Sequence, residues 1–305
     1  IGWCDWSSDV CSSDLSSEFA YYLGRAFVLF LKQKKLDLKS KAIIVGRDMR
    51  ETSPLYQKEL IRGINDEGVN VFDIGLCSTP LFGFACTNYN WSAGGIMVTA
   101  SHNPGQYNGF KMTLSDGMPI GQDSGMEEIK KIIFAGGFEE KHGGGTVKTF
   151  TVLDDYKKRI FSLVDKDRIK PLKIIIDAGN GMAKSTFPAV LKELPQIQTE
   201  YLYLEPDGRF PNHEANPLKI ETLKELQKAV KEKQADFGFA LDGDADRIGL
   251  VDEIGEVVPA SFVGGLVGLE ILDSQGSGGL IYDLRLSRGV VEAWEKAGAK
   301  TIMSK

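Results

Sequence analysis

Cysteine is scarce and unpaired. The 305 residues hold four, Cys4, Cys11, Cys77 and Cys86, and none sits in a Cys-x-x-Cys pair. That excludes the usual zinc spacings and makes a disulfide framework a poor account of a chain this long. No apolar run approaches the roughly 20 residues that a membrane helix needs. Positive charge is not in surplus: 36 Lys and Arg stand against 42 Asp and Glu, a net charge of −6. A general nucleic-acid or anionic-membrane binder would carry the opposite balance, so neither partner is expected. A basic start and an apolar centre are both missing from the N-terminal stretch, so it does not read as a signal peptide. The expected compartment is cytoplasmic.

What remains is an ordinary globular composition, 42% hydrophobic and 26% charged. The length suits two or three domains. Both ends depart from this pattern. The opening "IGWCDWSSDVCSSDLSS" lacks a methionine and nearly repeats Ser7-Ser8-Asp9-Val10 as Ser12-Ser13-Asp14-Leu15. It has neither helix nor strand periodicity. Residues 1–15 are therefore read as disordered or non-native and set aside, with Cys4 and Cys11. The closing "KAGAKTIMSK" stops where a strand has begun, so the chain is read as a fragment.

Between the ends, strands alternate with helices. A helical pattern starts at Glu18. A buried strand spans 41–48, and Ser53-Pro54 opens a helix that closes at Gly68. "VNVFDIG" and "GGIMVTA" read as strands, and the glycine-rich stretch 136–146 as a loop. A second unit starts near Asp154, with "LKIIIDAGNGMA" as strand, turn and helix. "FGFAL" and "RIGLVD" are strands around an acidic loop, and a third unit opens near Glu253. The expected fold is α/β: consecutive α/β domains over 16–152, 153–253 and an incomplete 254–305, each with a mixed sheet flanked by helices.

Two loops carry chemistry. In "ALDGDADRIGLVD", Asp242, Asp244 and Asp246 alternate with Gly243 and Ala245. Three carboxylates that close repel unless a cation lies among them. Oxygen ligands suit a hard ion such as Mg²⁺. A solvated acidic turn is the plainer account. A calcium EF-hand is not, because the sixth position needs glycine and holds Arg247. Arg247 also offers a guanidinium that fits phosphate. The other loop is "IMVTASHNPGQYNGFK". Ser101 ends an apolar run among small residues, which suits either an exposed hydroxyl or a helix cap. Taken singly, His102 reads as structural and Lys111 as solvated. Together, a serine loop, three aspartates and nearby cations point to phosphoryl transfer.

"TASHNP…YNGFK" followed by "LDGDADR" resembles the α-D-phosphohexomutase family, most closely its phosphomannomutase/phosphoglucomutase branch. "VGRDMRETSP", "DAGNGMA", "PDGRFPNHEANP" and "YDLRLSR" match the same family in the same order, over about residues 18–305. The resemblance implies that Ser101 is the serine that carries phosphate. It implies Asp242, Asp244 and Asp246 as Mg²⁺ ligands, with a phosphoserine oxygen of Ser101 completing the site. It implies Lys111, Arg247 and His102 as catalytic residues, and Asn108 and, with less support, Arg285 as substrate-binding. The implied activity interconverts hexose 6-phosphate and hexose 1-phosphate, mannose or glucose, through a hexose 1,6-bisphosphate. The implied partner is a hexose phosphate, and the implied state a monomer.

Where the family has an N-terminal arginine loop, this chain has "CDWSSDVCSSDL". The family's G-E-x-S-G sugar loop and fourth domain are not found. The expectation is thus the metal and serine half of the site, with activity at best orders of magnitude below a complete relative. Three rivals stand beside the mutase of mannose and glucose phosphates. They are a phosphoglucosamine mutase, a non-catalytic Mg²⁺-dependent sugar-phosphate-binding module, and a phosphatase with an aspartate nucleophile.

Overall fold

The computed structural model describes residues 9–140 and 143–304. Residues 1–8, with Cys4, and residues 141 and 142 of the glycine-rich stretch lie outside the described residues.

The first unit comprises β1 (Asp9–Ser12), α1 (Ser17–Gln33), β2 (Ala42–Arg47), α2 (Ser53–Asp66), β3 (Asn70–Leu76) and α3 (Thr79–Asn88). It continues through β4 (Ser92–Val98), β5 (Asn108–Leu114), α4 (Met126–Ala135) and β6 (Val147–Thr149). The six strands form one sheet in the order β1-β5-β4-β2-β3-β6. β4, β2, β3 and β6 run parallel, and β5 and β1 are added antiparallel. The apolar run of β2 explains its central place. Ile43 and Val45 pack with Leu23 and Phe27 of α1 and Leu60 and Ile64 of α2. Ile44, one residue out of phase, packs with Leu81, Phe82 and Ala85 of α3. Covering both faces in this way is what a continuous hydrophobic strand requires.

Asp9–Ser12 falls in the stretch set aside on sequence grounds, and it forms the edge strand β1. Its backbone pairs with β5, Asp9 opposite Lys111 and Ser12 opposite Asn108. Partner pairing supplies the strand that local periodicity does not announce. The α2 start also differs from expectation. Ser53 is the first helical residue, and its hydroxyl donates to the Asp48 carboxylate at 2.6 Å rather than capping the helix.

The second unit contains α5 (Leu153–Leu163), β7 (Leu172–Asp177), α6 (Phe187–Leu191), β8 (Ile197–Leu202), α7 (Lys224–Lys233), β9 (Phe237–Leu241), β10 (Ile248–Asp252) and β11 (Val257–Val258). Its sheet has the order β11-β10-β9-β7-β8, parallel over β9-β7-β8 and antiparallel at β10 and β11. The sheet runs on to Val258, past the boundary expected at 253. Ile174 and Ile176 of β7 face Phe187 and Phe239, while Ile175 faces Leu226 and Val230 of α7. A third unit holds α8 (Ala260–Gln275), β12 (Gly279–Tyr282), α9 (Arg288–Lys296) and β13 (Lys300–Met303). β12 and β13 pair in parallel, and Leu272, Val290 and Trp294 form the core. Both large sheets are mixed and flanked by helices, as the pattern of elements predicts. No helix among the described residues is long and apolar enough to cross a membrane.

The segment 206–217 bridges the second unit to the first. It is tied to β7 through His213, whose Nε2 lies 3.0 Å from Oδ2 of the buried Asp177. That hydrogen bond raises the His213 pKa, against the opposing effect of burial. A histidine with a raised folded pKa adds stability that is complete below its unfolded value, about 6.5, and lost as pH rises through the folded value. His213→Gln is therefore expected to destabilise most near pH 6 and least above pH 8, as read from urea melts across that range. A gap that is constant or widens with pH would rule this linkage out.

Candidate active site

The site lies where parallel strands end. β2 runs into Asp48, β3 into Thr79 at the start of α3, β4 into Ser101, and β9 into Asp242. Carboxyl ends of strands are where open α/β sheets leave room for ligands.

Thr99 and Ser101 leave β4 in a tight turn. The Ser101 N–H donates to Thr99 Oγ1 at 3.0 Å, and Ser101 holds φ at +50°. A left-handed φ is uncommon for a residue with a side chain and is often found at functional positions. No helix follows Ser101, so its hydroxyl is not a cap. It donates instead to Asp242 Oδ2 at 2.9 Å, across 141 residues of sequence.

The β9–β10 loop turns its three carboxylates together. One ligand oxygen from each of Asp242, Asp244 and Asp246 lies within 4.8 Å of the others. Backbone N–H groups of Asp246 and Arg247 both donate to Asp242 Oδ1, at 3.0 and 3.1 Å. Ala245 takes φ +60° to close the turn. Gly243 is needed because a Cβ there would meet the Ser101 carbonyl oxygen at 2.5 Å. Asp244 is fully buried; its Oδ2 accepts from Lys111 Nζ at 2.7 Å and from the Thr79 hydroxyl. Lys111 Nζ also donates to Asp246 Oδ2 at 2.7 Å.

Electrostatics mark the cluster as short of positive charge. Burial, with Asp244 and Asp246 alongside, pushes the Asp242 carboxyl far above the usual carboxylate range. Burial works against the Asp244 charge too, but Lys111, Thr79 and Ser101 outweigh it and hold that carboxyl low. Among the described residues, the buried Asp244 Oδ1 has no hydrogen-bond partner. An unpartnered buried carboxylate oxygen on a residue of a three-carboxylate cluster fits a hard divalent cation. The donor set and this orphaned atom together match Mg²⁺ chemistry.

The other expected residues fall in three places. Arg247 flanks the cluster, its Nε 4.0 Å from both Asp242 Oδ2 and Asp246 Oδ1. His102 stands beside it. Burial and the neighbouring Arg247 keep its imidazole below its ordinary pKa, and its buried Nδ1 has no partner among the described residues. Asn108 is not in the open cleft. It is buried, and its amide nitrogen donates to Thr52 Oγ1 at 2.8 Å and Ser53 Oγ at 3.0 Å. Arg285 lies on the third unit, with its side chain 89% exposed and bonded to Asp283. Arg285 and Arg247 line one cleft of about 670 Å³, with Ser261, Tyr282 and Trp294.

Comparison with known proteins fits this geometry. Residues 2–140 match the family model described as phosphoglucomutase/phosphomannomutase, alpha/beta/alpha domain I, and residues 153–255 match domain II of the same family. The chain belongs to the phosphoglucomutase/phosphomannomutase family. It is 36% identical to a phosphomannomutase of Vibrio cholerae over 297 residues, 96% of this chain and 64% of the relative. It is also 36% identical over 292 residues to phosphohexose mutases of Xanthomonas campestris, 96% of this chain and 63% of the relative. A solved phosphoglucomutase/phosphomannomutase family protein from Burkholderia thailandensis superposes with a TM-score of 0.86 at 30% identity. That match covers 98% of this chain and 65% of the other. The chain thus spans somewhat less than two thirds of the relatives it resembles.

Membership leaves several residues that sequence reasoning gave no role. Thr79 holds the central aspartate from α3, and its backbone N–H donates to the Asp244 carbonyl at 2.9 Å. Thr99 pins the Ser101 turn. Asp48 and Arg50 lie beneath it, both fully buried and paired at 3.0 Å. The signal for the last pair was in "VGRDMRETSP", where two charged residues follow directly on a buried strand.

Proposed function

We propose that this chain carries the phosphoryl-exchange centre of a hexose phosphate mutase. Phosphorylated Ser101 gives its phosphoryl group to the free hydroxyl of a hexose monophosphate, forming a hexose 1,6-bisphosphate, and Ser101 then takes back the phosphoryl group from the other sugar oxygen. The net change interconverts the 6-phosphate and the 1-phosphate of mannose or glucose. The observation that carries this reading is the Ser101 hydroxyl, 2.9 Å from Asp242, beside a cluster of three carboxylates of which Asp242 and Asp244 are buried.

Asp242, Asp244 and Asp246 would hold Mg²⁺ with an oxygen on Ser101. When bound, the ion withdraws charge from the phosphoryl oxygens and offsets the three carboxylates. The remaining work falls to the chain. When Ser101 Oγ attacks phosphorus, an Oγ–P bond forms and the sugar oxygen–phosphorus bond breaks. The hydroxyl proton of Ser101 starts in its bond to Asp242 Oδ2 and must leave, while the sugar oxygen gains one. The transfer from phosphorylated Ser101 to the sugar hydroxyl is the reverse of each change. Lys111 and Arg247, on either side of the aspartates, balance charge on the moving group. Lys111 Nζ, bonded to Asp244 Oδ2 and Asp246 Oδ2, would hold its ammonium beside the phosphoryl group. The imidazole of His102, kept neutral and open at Nδ1, can hydrogen-bond a phosphate oxygen. Arg285 faces the same cleft as Arg247 and suits the sugar phosphate's distal end. Asn108 supports the serine loop through residues 52 and 53.

The names of the relatives, phosphomannomutase and phosphohexose mutases, support the substrate class. The test is intact mass after incubation with Mg²⁺ and glucose or mannose 1,6-bisphosphate. One phosphoryl group is expected on the chain, localised to Ser101 by peptide mapping, and lost again on adding hexose 6-phosphate. Binding of the bisphosphate without transfer would instead leave a sugar-phosphate-binding module.

A further inference from the structure

Arginine is seldom fully buried, and a buried guanidinium is costly unless all its donors are met. In Arg50 all five are. Nε donates to Asp48 Oδ2 at 3.0 Å. Nη1 donates to the carbonyls of Pro104 and Tyr107 at 2.7 and 2.8 Å. Nη2 donates to the carbonyls of Ser101 and Asn103 at 2.8 and 2.6 Å. Four carbonyls of one loop thus converge on one side chain. Asp48 anchors the base: its N–H donates to the Val98 carbonyl at 2.9 Å, and its Oδ1 accepts from Ser53 Oγ and the Arg50 N–H.

The second unit closes the other side. The Phe210 ring covers the guanidinium, with Arg50 Cζ 5.3 Å from its centroid. Phe210 holds φ at +50°. Gly208 brings this segment close enough: a Cβ there would lie 2.6 Å from Arg50 Cα and 2.9 Å from the Met49 oxygen. One guanidinium therefore touches the loop that carries Ser101 and the unit that carries the aspartates.

We infer that Arg50 is the positioning residue of the Ser101 loop, and that its contact with Phe210 registers that loop against the three aspartates. The inference rests on the proposed function only for its catalytic consequence. Lysine cannot replace the fork, because a compact ammonium has three donors and cannot reach four carbonyls and a carboxylate. Misplacing a reacting atom by about 1 Å costs on the order of 100-fold in rate.

The test compares wild type, Arg50→Lys and Phe210→Leu. Amide hydrogen exchange, without metal or sugar, is read for a peptide covering 99–109 and for peptides of β2 and β4. Arg50→Lys is expected to speed exchange in 99–109 by about 10-fold or more, with the sheet peptides unchanged. Phosphoryl uptake by Ser101 should fall about 100-fold, while Mn²⁺ affinity stays within about 3-fold, since the aspartates belong to the other unit. Phe210→Leu keeps every hydrogen bond and should give a smaller change in the same direction, so it decides the matter if Arg50→Lys does not fold. Unchanged exchange in 99–109, or a rise spread evenly over the sheet, would overturn the inference. A wild type that takes up no phosphoryl group would sink the proposed function alone, and exchange would still judge Arg50.

Discussion

Ser101→Ala is expected to abolish phosphoryl uptake, lowering it by about 10⁴-fold or more while the fold persists. Removing a covalent nucleophile leaves only whatever the surrounding site does without it. The stability change should be small. Alanine has the same Cβ as serine, so the φ of +50° is no worse for it. The lost hydrogen bond is the one to Asp242 Oδ2, while Oδ1 keeps two backbone donors. Its net worth is about 1 kcal/mol, and the carboxylate retains partners. Mg²⁺ binding by the aspartates should survive with modest loss. Intact mass after exposure to a hexose 1,6-bisphosphate reads the outcome, with thermal melts as the control. If Ser101→Ala takes up phosphoryl as wild type does, the nucleophile is elsewhere. Asp242 would then be the candidate, and Asp242→Asn should abolish an uptake that Ser101→Ala leaves intact.

The parts of this site differed in how plainly the sequence displayed them. The three aspartates were legible because alternation between two apolar strands places them in one tight loop. Ser101 was legible because an apolar run ends on it. Their contact was not, since it joins two separate sheets across 141 residues. β5 was missed as a strand, although Phe110, Met112 and Leu114 alternate with Lys111 and Thr113 as a half-buried strand requires. Asn108 and Lys111 are polar for the site's sake: one braces residues 52 and 53, and the other reaches the aspartates. β1 was set aside because nothing in "DVCS" announces a strand until β5 is there to pair with it. Arg50 was hidden for a related reason. A buried arginine runs against residue preference, and only the fold reveals the carbonyls that satisfy it.

Asp242→Asn is expected to move two properties in opposite directions. Asparagine is nearly isosteric with aspartate. Its Oδ1 can still accept from Asp246 and Arg247 N–H, and its Nδ2 can donate to the Ser101 oxygen. What disappears is an ionisable carboxyl, from a place where burial and two neighbouring carboxylates already oppose its charge. Without a divalent cation, stability at neutral pH should therefore rise, because asparagine has no carboxyl whose ionisation burial opposes. Affinity for Mg²⁺ or Mn²⁺ should fall at least about 100-fold, since even groups behind metal ligands cost 10–100-fold when lost. Melts with and without cation, beside calorimetric titration, separate the two. Wild type should gain more than the variant from added cation, because stabilisation by a ligand follows the ratio of its concentration to the dissociation constant. A purely structural Asp242 would lose stability in both conditions and show no cation effect. That pattern would remove the physical basis for placing phosphoryl transfer at Ser101, because nothing else among the described residues gathers three carboxylates around a hydroxyl.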